Sequence, residues 1–342
     1  MAGNGNGGND FDLVIIGGGP GGYVAAIRAA QLGMSVACVE KEKLGGVCLN
    51  IGCIPTKALL SSALLANEMK DAEGHGIRAE GLSFDLGPAQ ERSRRVADQM
   101  NRGVHHLFKK YGATHVEGHG RIAGKGKVEV ENDDGGTDTL RADHVIVATG
   151  SRPRNLPILE IDEEMIWSST GALFQEAAPE TLAVVGAGAV GMEFADVYEA
   201  YGSRVTILEA LERVLPIEDE ECSKAVARSF EKRGMEIHTS ARLESSEAGD
   251  DSVKLVFTDA GGEEQTLEVE RVLSAVGRVP NTEDVGLDAV GVERTEEGGF
   301  IAVDEWLRTN VDGVYAIGDC AGNQLLAHKA SHEGLVCVEK IA

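Results

Sequence analysis

One pattern occurs twice in this chain: an apolar strand, a glycine-rich turn, an alanine-rich helix, and a second apolar strand that ends in glutamate. The first copy starts at DLVIIGGGPGG (12–22) and ends at Glu40, and the second starts at LAVVGAGAVG (182–191) and ends at Glu209. In each copy the first glycine of the turn precedes the glutamate by 23 residues. This order predicts two Rossmann-like dinucleotide-binding units in an α/β fold.

The glycines of each turn fit three different needs. The first allows a tight turn, the second lets a pyrophosphate approach the backbone, and the third lets the helix pack closely on the strand. The helix N-terminus then favours phosphate charge, and the glutamate can accept hydrogen bonds from a ribose diol. The two predicted sets are Gly17, Gly19 and Gly22, and Gly186, Gly188 and Gly191.

The order of the remaining stretches predicts that the second unit is inserted into the first. ADHVIVATGSRPR (142–154) and ERVLSAVGRVPN (270–281) are both apolar strands followed by glycine turns, typical of chain crossings between domains. TNVDGVYAIGDC (309–320) returns to the first unit as a strand with Asp319 at its carboxyl end, where ligands bind in open α/β sheets. The expected domains are 1–150, 151–280 and 281–342, the last belonging to the first unit.

A charged helix is predicted over 89–111. Val96, Met100, Val104 and Leu107 recur at helical spacing, so we expect them to share the buried face of that helix.

Charge and hydropathy limit the functions open to the chain. With 342 residues and a net charge of −24, its surface repels nucleic acid and anionic lipid. The sequence contains no secretory signal pattern, and its longest apolar runs are of strand length, so we expect no membrane span and a cytoplasmic location. The first ten residues, MAGNGNGGND, have the composition of an unstructured tail.

Glu209 bears on the choice of nicotinamide cofactor. A carboxylate at this strand end suits a free ribose 2′-hydroxyl and repels a 2′-phosphate. The nearest following arginine is Arg213, so NAD is preferred over NADP.

Two cysteines follow the first unit directly, in GGVCLNIGCIPTKALL (45–60). Pro55 suits the first turn of a helix, whose dipole favours a thiolate at Cys53, and Gly52 helps the intervening residues to turn. A structural disulfide, a metal site and a redox-active dithiol are all open interpretations. We favour the redox dithiol, since a cytosolic chain rarely stabilises itself with so small a loop and two thiols do not complete a metal site.

The same stretch resembles the active-site signature of the flavoprotein disulfide reductases, the class I pyridine nucleotide-disulfide oxidoreductases. The second fingerprint, the TNVDGVYAIGD segment and LLAHKASHEG (325–334) also agree, and the last is typical of the lipoamide branch of that family. The resemblance covers the whole chain except its N-terminal tail.

This resemblance implies FAD in the first unit and NAD in the second. Cys48 would exchange with the substrate thiols, and Cys53 would face the flavin. Lys57 would lie near the flavin N5, paired with Glu193. Further FAD contacts would come from Gly17, Gly19, Gly22, Glu40, Thr149, Gly150 and Asp319, and NAD contacts from Gly186, Gly188, Gly191, Glu209 and Gly277.

The implied reaction is the oxidation of protein-bound dihydrolipoamide, with NAD⁺ as the final acceptor. The implied partners are the lipoyl-bearing subunits of 2-oxo-acid dehydrogenase or glycine-cleavage complexes, together with a second copy of the chain. The family also has a C-terminal dimerisation domain of about 100 residues that supplies a catalytic histidine. From the resemblance we expect the sequence, which ends at Ala342, to lack this domain and to be an incomplete enzyme. A glutathione- or mercuric-reductase-like activity and a nucleotide-binding fragment without turnover are the alternatives.

Overall fold

The structure is a computed structural model that describes residues 10–78, 80–132 and 134–342. The predicted unstructured tail therefore lies almost entirely outside the described residues. Numbered in chain order, the helices are α1 (Pro20–Gln31), α2 (Gly46–Ile51), α3 (Cys53–Lys70), α4 (Leu86–Tyr111), α5 (Ser169–Leu173), α6 (Ala189–Ala200), α7 (Glu220–Lys232), α8 (Leu287–Val290) and α9 (Ala327–Ile341). Short 3₁₀ helices span Ala72–His75 and Gly318–Ala321.

The strands are β1 (Phe11–Ile16), β2 (Val36–Glu40), β3 (Thr114–Glu117), β4 (His119–Gly124), β5 (Lys127–Glu131), β6 (Thr137–Val147), β7 (Ser151–Pro153), β8 (Ile166–Trp167), β9 (Thr181–Val185), β10 (Arg204–Leu208), β11 (Glu236–His238), β12 (Arg242–Ala248), β13 (Val253–Thr258), β14 (Glu264–Val269), β15 (Arg271–Ser274), β16 (Arg278–Pro280) and β17 (Val314–Ala316). They fall into two compact units. Unit 1 comprises the residues up to Asn50, Ala97–Arg152 and Val279–Ala342, and unit 2 comprises Ile51–Val96 and Pro153–Arg278.

Unit 1 is built on a sheet of strand order β3-β2-β1-β6-β5-β4, with β17 also paired to β6. The β2, β1, β6 and β17 strands run parallel, so their carboxyl ends lie along one edge. Apolar residues of β1 alternate between two cores, because successive side chains of a strand point to opposite faces. Val14 and Ile16 pack with the β4–β5 side, whereas Leu13 and Ile15 pack with α1 and α9.

Unit 2 repeats the parallel arrangement with the order β11-β10-β9-β15-β8. An antiparallel sheet, β12-β13-β14, supplies Leu255 and Phe257 to a second core beneath it. The predicted α/β class with two Rossmann-like units is therefore confirmed, and residues 153–278 interrupt the sequence of unit 1.

The unit boundaries depart from the predicted domains over residues 51–96. These residues were expected in the first domain but group with unit 2. The cause is apolar packing, since Leu59 and Ala63 of α3 share one core with Phe194 and Tyr198 of α6. In the sequence this segment follows the first fingerprint, but the core in which its apolar side chains are buried determines the unit to which it belongs.

The buried face of α4 is rotated from the predicted one. Val104 is buried as expected, but Met100 is 41% exposed. The inner face carries Ala97, Asn101, Val104 and Phe108, which are spaced by three or four residues. The prediction for Met100 was wrong because it counted apolar residues alone and passed over an amide.

The expectation that apolar runs reach only strand length was also wrong. Gly46–Lys70 is long and apolar enough to cross a membrane by length and composition alone. This segment is divided at Gly52 between α2 and α3, and its buried positions include Leu59 and Ala63. Only 33% of its most apolar window is buried, and Leu64 and Leu65 are 60% and 59% exposed, so core packing accounts for part of its apolar content.

Candidate active site

The outer glycines of both fingerprints are required by the chain itself. Gly17 and Gly186 have φ angles of +106° and +101°, in the left-handed region that favours glycine. A Cβ on Gly22 would overlap the carbonyl oxygen of Gly17, and one on Gly191 would overlap that of Gly186. Each turn is therefore closed by backbone lying directly on backbone.

The middle glycines have no such internal cause. Gly19 and Gly188 are the N-caps of α1 and α6, with ordinary φ angles of −68° and −72°. A Cβ on Gly19 would come no closer than 4.0 Å to the Cα of Gly46, and a Cβ on Gly188 would have no atom of the described residues within 4 Å. Both positions leave space at a helix N-terminus, which suits a pyrophosphate against bare backbone. The residues present therefore fit a dinucleotide in each unit.

The two glutamates occupy equivalent places. Glu40 accepts hydrogen bonds from the backbone N–H of Gly18 at 2.7 Å and of Glu42 at 2.9 Å. Glu209 accepts from Ala187 at 2.7 Å and Leu211 at 2.8 Å. Each carboxylate is thus fixed beside its glycine turn, at the carboxyl end of the neighbouring strand.

Other predicted FAD contacts of unit 1 follow the carboxyl ends of β6 and β17. Thr149 and Gly150 come directly after β6, and Asp319 lies in the 3₁₀ helix after β17. Because β17 pairs with β6 in parallel, these groups share one edge of the sheet. The buried hydroxyl of Ser151 donates to Asp319 Oδ2 at 2.5 Å and holds that carboxylate.

Gly277 takes the corresponding place in unit 2. It follows β15, which pairs with β9, so it lies at the same sheet edge as Gly186. Its φ angle is +107°, and a Cβ there would meet nothing within 4 Å. This turn is therefore also open to a ligand.

Cys48 and Cys53 are joined by a disulfide. Cys48 lies within α2, and Cys53 is the first residue of α3, so the helix expected to start near Pro55 starts two residues earlier. The two sulfurs bond each other, which leaves the structural and redox interpretations and removes the metal interpretation for this state. A disulfide next to a helix N-terminus has a stabilised leaving thiolate.

Three further cysteines are buried and differ in chemistry from this pair. Burial raises the pKa of Cys38 and of Cys320 above the usual value for a thiol, and that of Cys337 to about 12. These thiols stay protonated at neutral pH and are poor nucleophiles. In contrast to these three buried thiols, Cys222 is exposed.

The ion pair implied between Lys57 and Glu193 is present. Lys57 Nζ of α3 lies 2.5 Å from Glu193 Oε1 of α6, with exposed fractions of 60% and 28% for the two side chains. Both helices belong to unit 2 and share its core through Leu59 and Phe194. The catalytic and FAD-binding roles of Lys57, and the catalytic role of Glu193, stay predictions.

Sequence reasoning missed several polar residues that hold these groups. Glu333 of α9 accepts the Gly318 N–H at 2.7 Å and pairs with Lys329 at 3.0 Å, which braces the turn before Asp319. The available signal was that Lys329 and Glu333 are four residues apart in a stretch already singled out. Ser151, Asn50 and Asn101 gave no such signal, because single hydroxyls and amides are common in turns and helices.

Comparisons with known proteins agree with this geometry. Residues 11–334 match the family described as pyridine nucleotide-disulphide oxidoreductase. The chain is 45% identical over 332 residues to the dihydrolipoyl dehydrogenase of Zymomonas mobilis, covering 97% of this chain and 71% of that protein. It is 43% identical to the mitochondrial dihydrolipoyl dehydrogenase of Pisum sativum, covering 98% of this chain and 68% of the relative.

A solved structure is also similar. The crystal structure of LpdA from Mycobacterium tuberculosis superimposes with a TM-score of 0.88 at 31% identity, covering 96% of this chain and 72% of that one. Together with the paired glycine turns and the disulfide beside the first of them, these matches establish that this chain belongs to the pyridine nucleotide-disulphide oxidoreductase family.

Proposed function

We propose that this chain carries the dithiol-oxidising and nucleotide-binding parts of a dihydrolipoyl dehydrogenase, which oxidises protein-bound dihydrolipoamide and passes the electrons to NAD⁺. The observation that carries the proposal is the Cys48–Cys53 disulfide, whose first cysteine follows by three residues Gly45, which is hydrogen-bonded to Gly18 of the first glycine fingerprint. The identity to relatives of that name supports the lipoamide branch.

The cysteines perform the thiol chemistry by two exchanges. One thiolate of dihydrolipoamide attacks Cys48 Sγ, so that the Cys48–Cys53 bond breaks, a mixed disulfide forms and Cys53 leaves as a thiolate. The second substrate thiolate then attacks the substrate sulfur of the mixed disulfide, which closes the lipoamide ring and releases Cys48. Two electrons and two protons have left the substrate, and both electrons reside on the cysteine pair.

Unit 1 would hold FAD through Gly17, Gly19, Gly22, Glu40, Thr149, Gly150 and Asp319. Bound FAD supplies the two-electron carrier between a dithiol and a nicotinamide. Unit 2 would hold NAD through Gly186, Gly188, Gly191, Glu209 and Gly277. The fixed carboxylate of Glu209 favours a ribose with a free 2′-hydroxyl over one with a 2′-phosphate.

Partners and compartment follow from the same proposal. Lipoyl-bearing subunits of 2-oxo-acid dehydrogenase or glycine-cleavage complexes would present the substrate, and the whole enzyme would be a homodimer. The proposed location is the cytoplasm, as for a bacterial enzyme, although the relatives include proteins named mitochondrial.

Anaerobic addition of NADH to the FAD-loaded chain tests the proposal in the reverse direction, in which electrons pass from NADH to the disulfide. We expect bleaching of the flavin and a long-wavelength charge-transfer absorption. C48S should show that absorption before any reduction, since it leaves the Cys53 thiolate beside the flavin, and C53S should never show it. Bound FAD that NADH fails to reduce would instead indicate a nucleotide-binding fragment without turnover.

The substrate is decided by a second measurement. Lipoamide, glutathione disulfide and Hg²⁺ are compared as acceptors for the NADH-reduced protein, each followed by reoxidation of the cysteine pair. Reoxidation by lipoamide at least tenfold faster than by the others is expected. A preference for glutathione disulfide or Hg²⁺ would replace the lipoamide assignment with that of the corresponding reductase.

A further inference from the structure

We propose that Asn101 of α4 is a positioning residue for the disulfide, acting through the turn that leads into α2. We call this turn, which comprises residues 43–46, the redox turn. The inference rests on the proposed function, because it concerns the reactivity of the Cys48–Cys53 pair. It adds a residue that lies 48 positions from Cys53 in the sequence and carries no thiol chemistry itself.

The redox turn is docked on the first fingerprint. The Gly45 N–H donates to the carbonyl of Gly18 at 2.7 Å. Gly46 has a φ angle of +56°, and a Cβ there would lie 2.6 Å from the Cα of Gly19. Leu44 is fully buried. The start of α2, and with it the backbone of Cys48, is therefore placed by contacts with the predicted pyrophosphate loop.

Two side-chain amides hold the carbonyls of this turn. Asn50 Nδ2 lies 3.0 Å from the carbonyl oxygens of both Leu44 and Gly46, and 3.3 Å from that of Lys43. Asn101 Nδ2 donates to the Leu44 carbonyl at 2.6 Å and lies 3.5 Å from Asn50 Oδ1. Asn50 stands between the two cysteines in the sequence, so Asn101 contacts both the turn before Cys48 and the residue within the disulfide loop.

The surroundings of Asn101 are apolar. It lies on the inner face of α4 between Ala97 and Val104, and Val104 and Phe108 share a core with Leu44 and Leu49. An amide at such a position destabilises the fold unless its hydrogen bonds are made. The 2.6 Å hydrogen bond to the Leu44 carbonyl therefore explains how the amide of Asn101 is tolerated on the inner face of α4.

The consequence concerns the equilibrium between dithiol and disulfide. Closing a disulfide is favoured when both thiols are already held close, because less conformational freedom is lost. Asn101 anchors the Cys48 end in place whether or not the sulfurs are bonded. Without its amide, the reduced form gains more freedom than the bonded form, so the disulfide becomes easier to reduce.

The test is the thiol–disulfide equilibrium of the FAD-loaded chain with dithiothreitol, read by alkylation of Cys48 and Cys53 and mass spectrometry. In this exchange each dithiothreitol gives two electrons and two protons to the cysteine pair and becomes a cyclic disulfide. In N101A we expect the equilibrium constant for Cys48–Cys53 closure to fall about fivefold, as for the loss of one part-buried neutral hydrogen bond. That change corresponds to a rise of about 20 mV in midpoint potential.

Two variants separate the hydrogen bond from packing. N101D keeps the shape of the side chain but cannot donate to the Leu44 carbonyl, so it should lower closure at least as much as N101A. Q99A removes an exposed amide two residues earlier on α4 and should leave closure unchanged. N101S, which removes fewer contacts than N101A, provides a folded alternative if far-UV circular dichroism shows that N101A has lost its structure.

The outcomes are distinct from those of the functional test. Closure in N101D that equals wild type, or an equal loss in Q99A, would overturn the role of Asn101. A wild-type disulfide that NADH cannot reduce would overturn the proposed function and leave the dithiothreitol comparison intact.

Discussion

At the scale of single residues, the middle glycine of each fingerprint differs from its neighbours in what surrounds it. Gly22 and Gly191 lie against backbone oxygens, whereas Gly19 and Gly188 are open on the side where a Cβ would stand. The outer glycines are therefore required by the fold, whereas the middle ones leave space in which we predict a ligand.

This contrast predicts opposite effects of alanine substitution. G19A should weaken FAD binding at least tenfold, because a methyl group would occupy the space needed by the pyrophosphate, which corresponds to about 1.4 kcal/mol. It should cost less than about 1 kcal/mol in unfolding free energy, the size of an N-cap effect. FAD affinity by fluorescence quenching and urea unfolding of the FAD-free protein measure the two quantities.

G188A is the matched control, and it should raise the dissociation constant for NADH while leaving FAD affinity unchanged. G22A should instead destabilise the FAD-free protein by about 1–3 kcal/mol, as overpacking does. A G19A protein that keeps its FAD affinity would mean that the open space at Gly19 is not the pyrophosphate site.

Some of these residues could be predicted from the sequence, and others could not. Gly17, Gly22 and Glu40 were predictable, because their spacing has one common structural cause. Asn101 was not, because an amide within a helix is usually solvated, and its value here depends on a carbonyl 57 residues earlier in the chain. The error at Met100 has the same origin, since the true inner face contains one polar residue that no hydrophobic pattern includes.

At the scale of elements, the ends of the two chain crossings are fastened within unit 1. Arg152, the middle residue of β7, makes a bidentate contact with Glu283, at 3.0 and 3.1 Å. Thr149 and Asn281 exchange hydrogen bonds at 2.6 and 3.0 Å between side chain and backbone. Both contacts join the outgoing strand to the returning one next to the turn at Gly150.

The Arg152–Glu283 pair predicts a defined pH dependence. The hydrogen bonds from Arg152 hold the pKa of Glu283 at about 2, below its ordinary value of 4.5. A lowered carboxyl pKa contributes stability that is fully present above pH 4.5 and is lost as the pH falls toward 2. For an exposed, bidentate pair we expect about 0.5–1 kcal/mol.

The measurement is the urea unfolding midpoint of wild type and E283Q from pH 8 down to pH 3. The difference between them should be constant from pH 8 to 5 and shrink below pH 4.5, because Glu283 takes up its proton in the unfolded chain near pH 4.5 but keeps its charge in the folded protein until about pH 2. E296Q, an exposed glutamate in the same returning segment, should match wild type throughout. A gap between wild type and E283Q that grows on acidification would contradict this assignment.

At the scale of the whole molecule, each unit has its own cores and its own predicted nucleotide. Ligand binding to one unit stabilises that unit by mass action, by about 2.7 kcal/mol at 100 times the dissociation constant. With FAD, amide hydrogen exchange should therefore slow in 97–152 and 279–342. With NAD⁺ it should slow in 153–278. Protection by FAD confined to 153–278 would reverse the assignment of the two nucleotides.

The division into units also shows which part of the domain organisation could be predicted from the sequence and which could not. The insertion of the second unit could be predicted, because two crossing strands with glycine turns flank the second fingerprint. The grouping of residues 51–96 with unit 2 could not be predicted, because it depends on which hydrophobic core contains Leu59 and Ala63. A helix that follows one fingerprint in sequence can bury its apolar face in either unit.

The pairing of β17 with β6 has a consequence for biosynthesis. Unit 1 begins with the first strand of the chain, yet the strand that carries Asp319 is translated roughly 300 residues later. Unit 2 leaves the ribosome in the meantime, so it can fold while the sheet of unit 1 still lacks one strand. We therefore expect FAD to be retained only after β17 and Asp319 have been translated, so that a chain that stalls earlier contains both glycine fingerprints but does not hold its flavin.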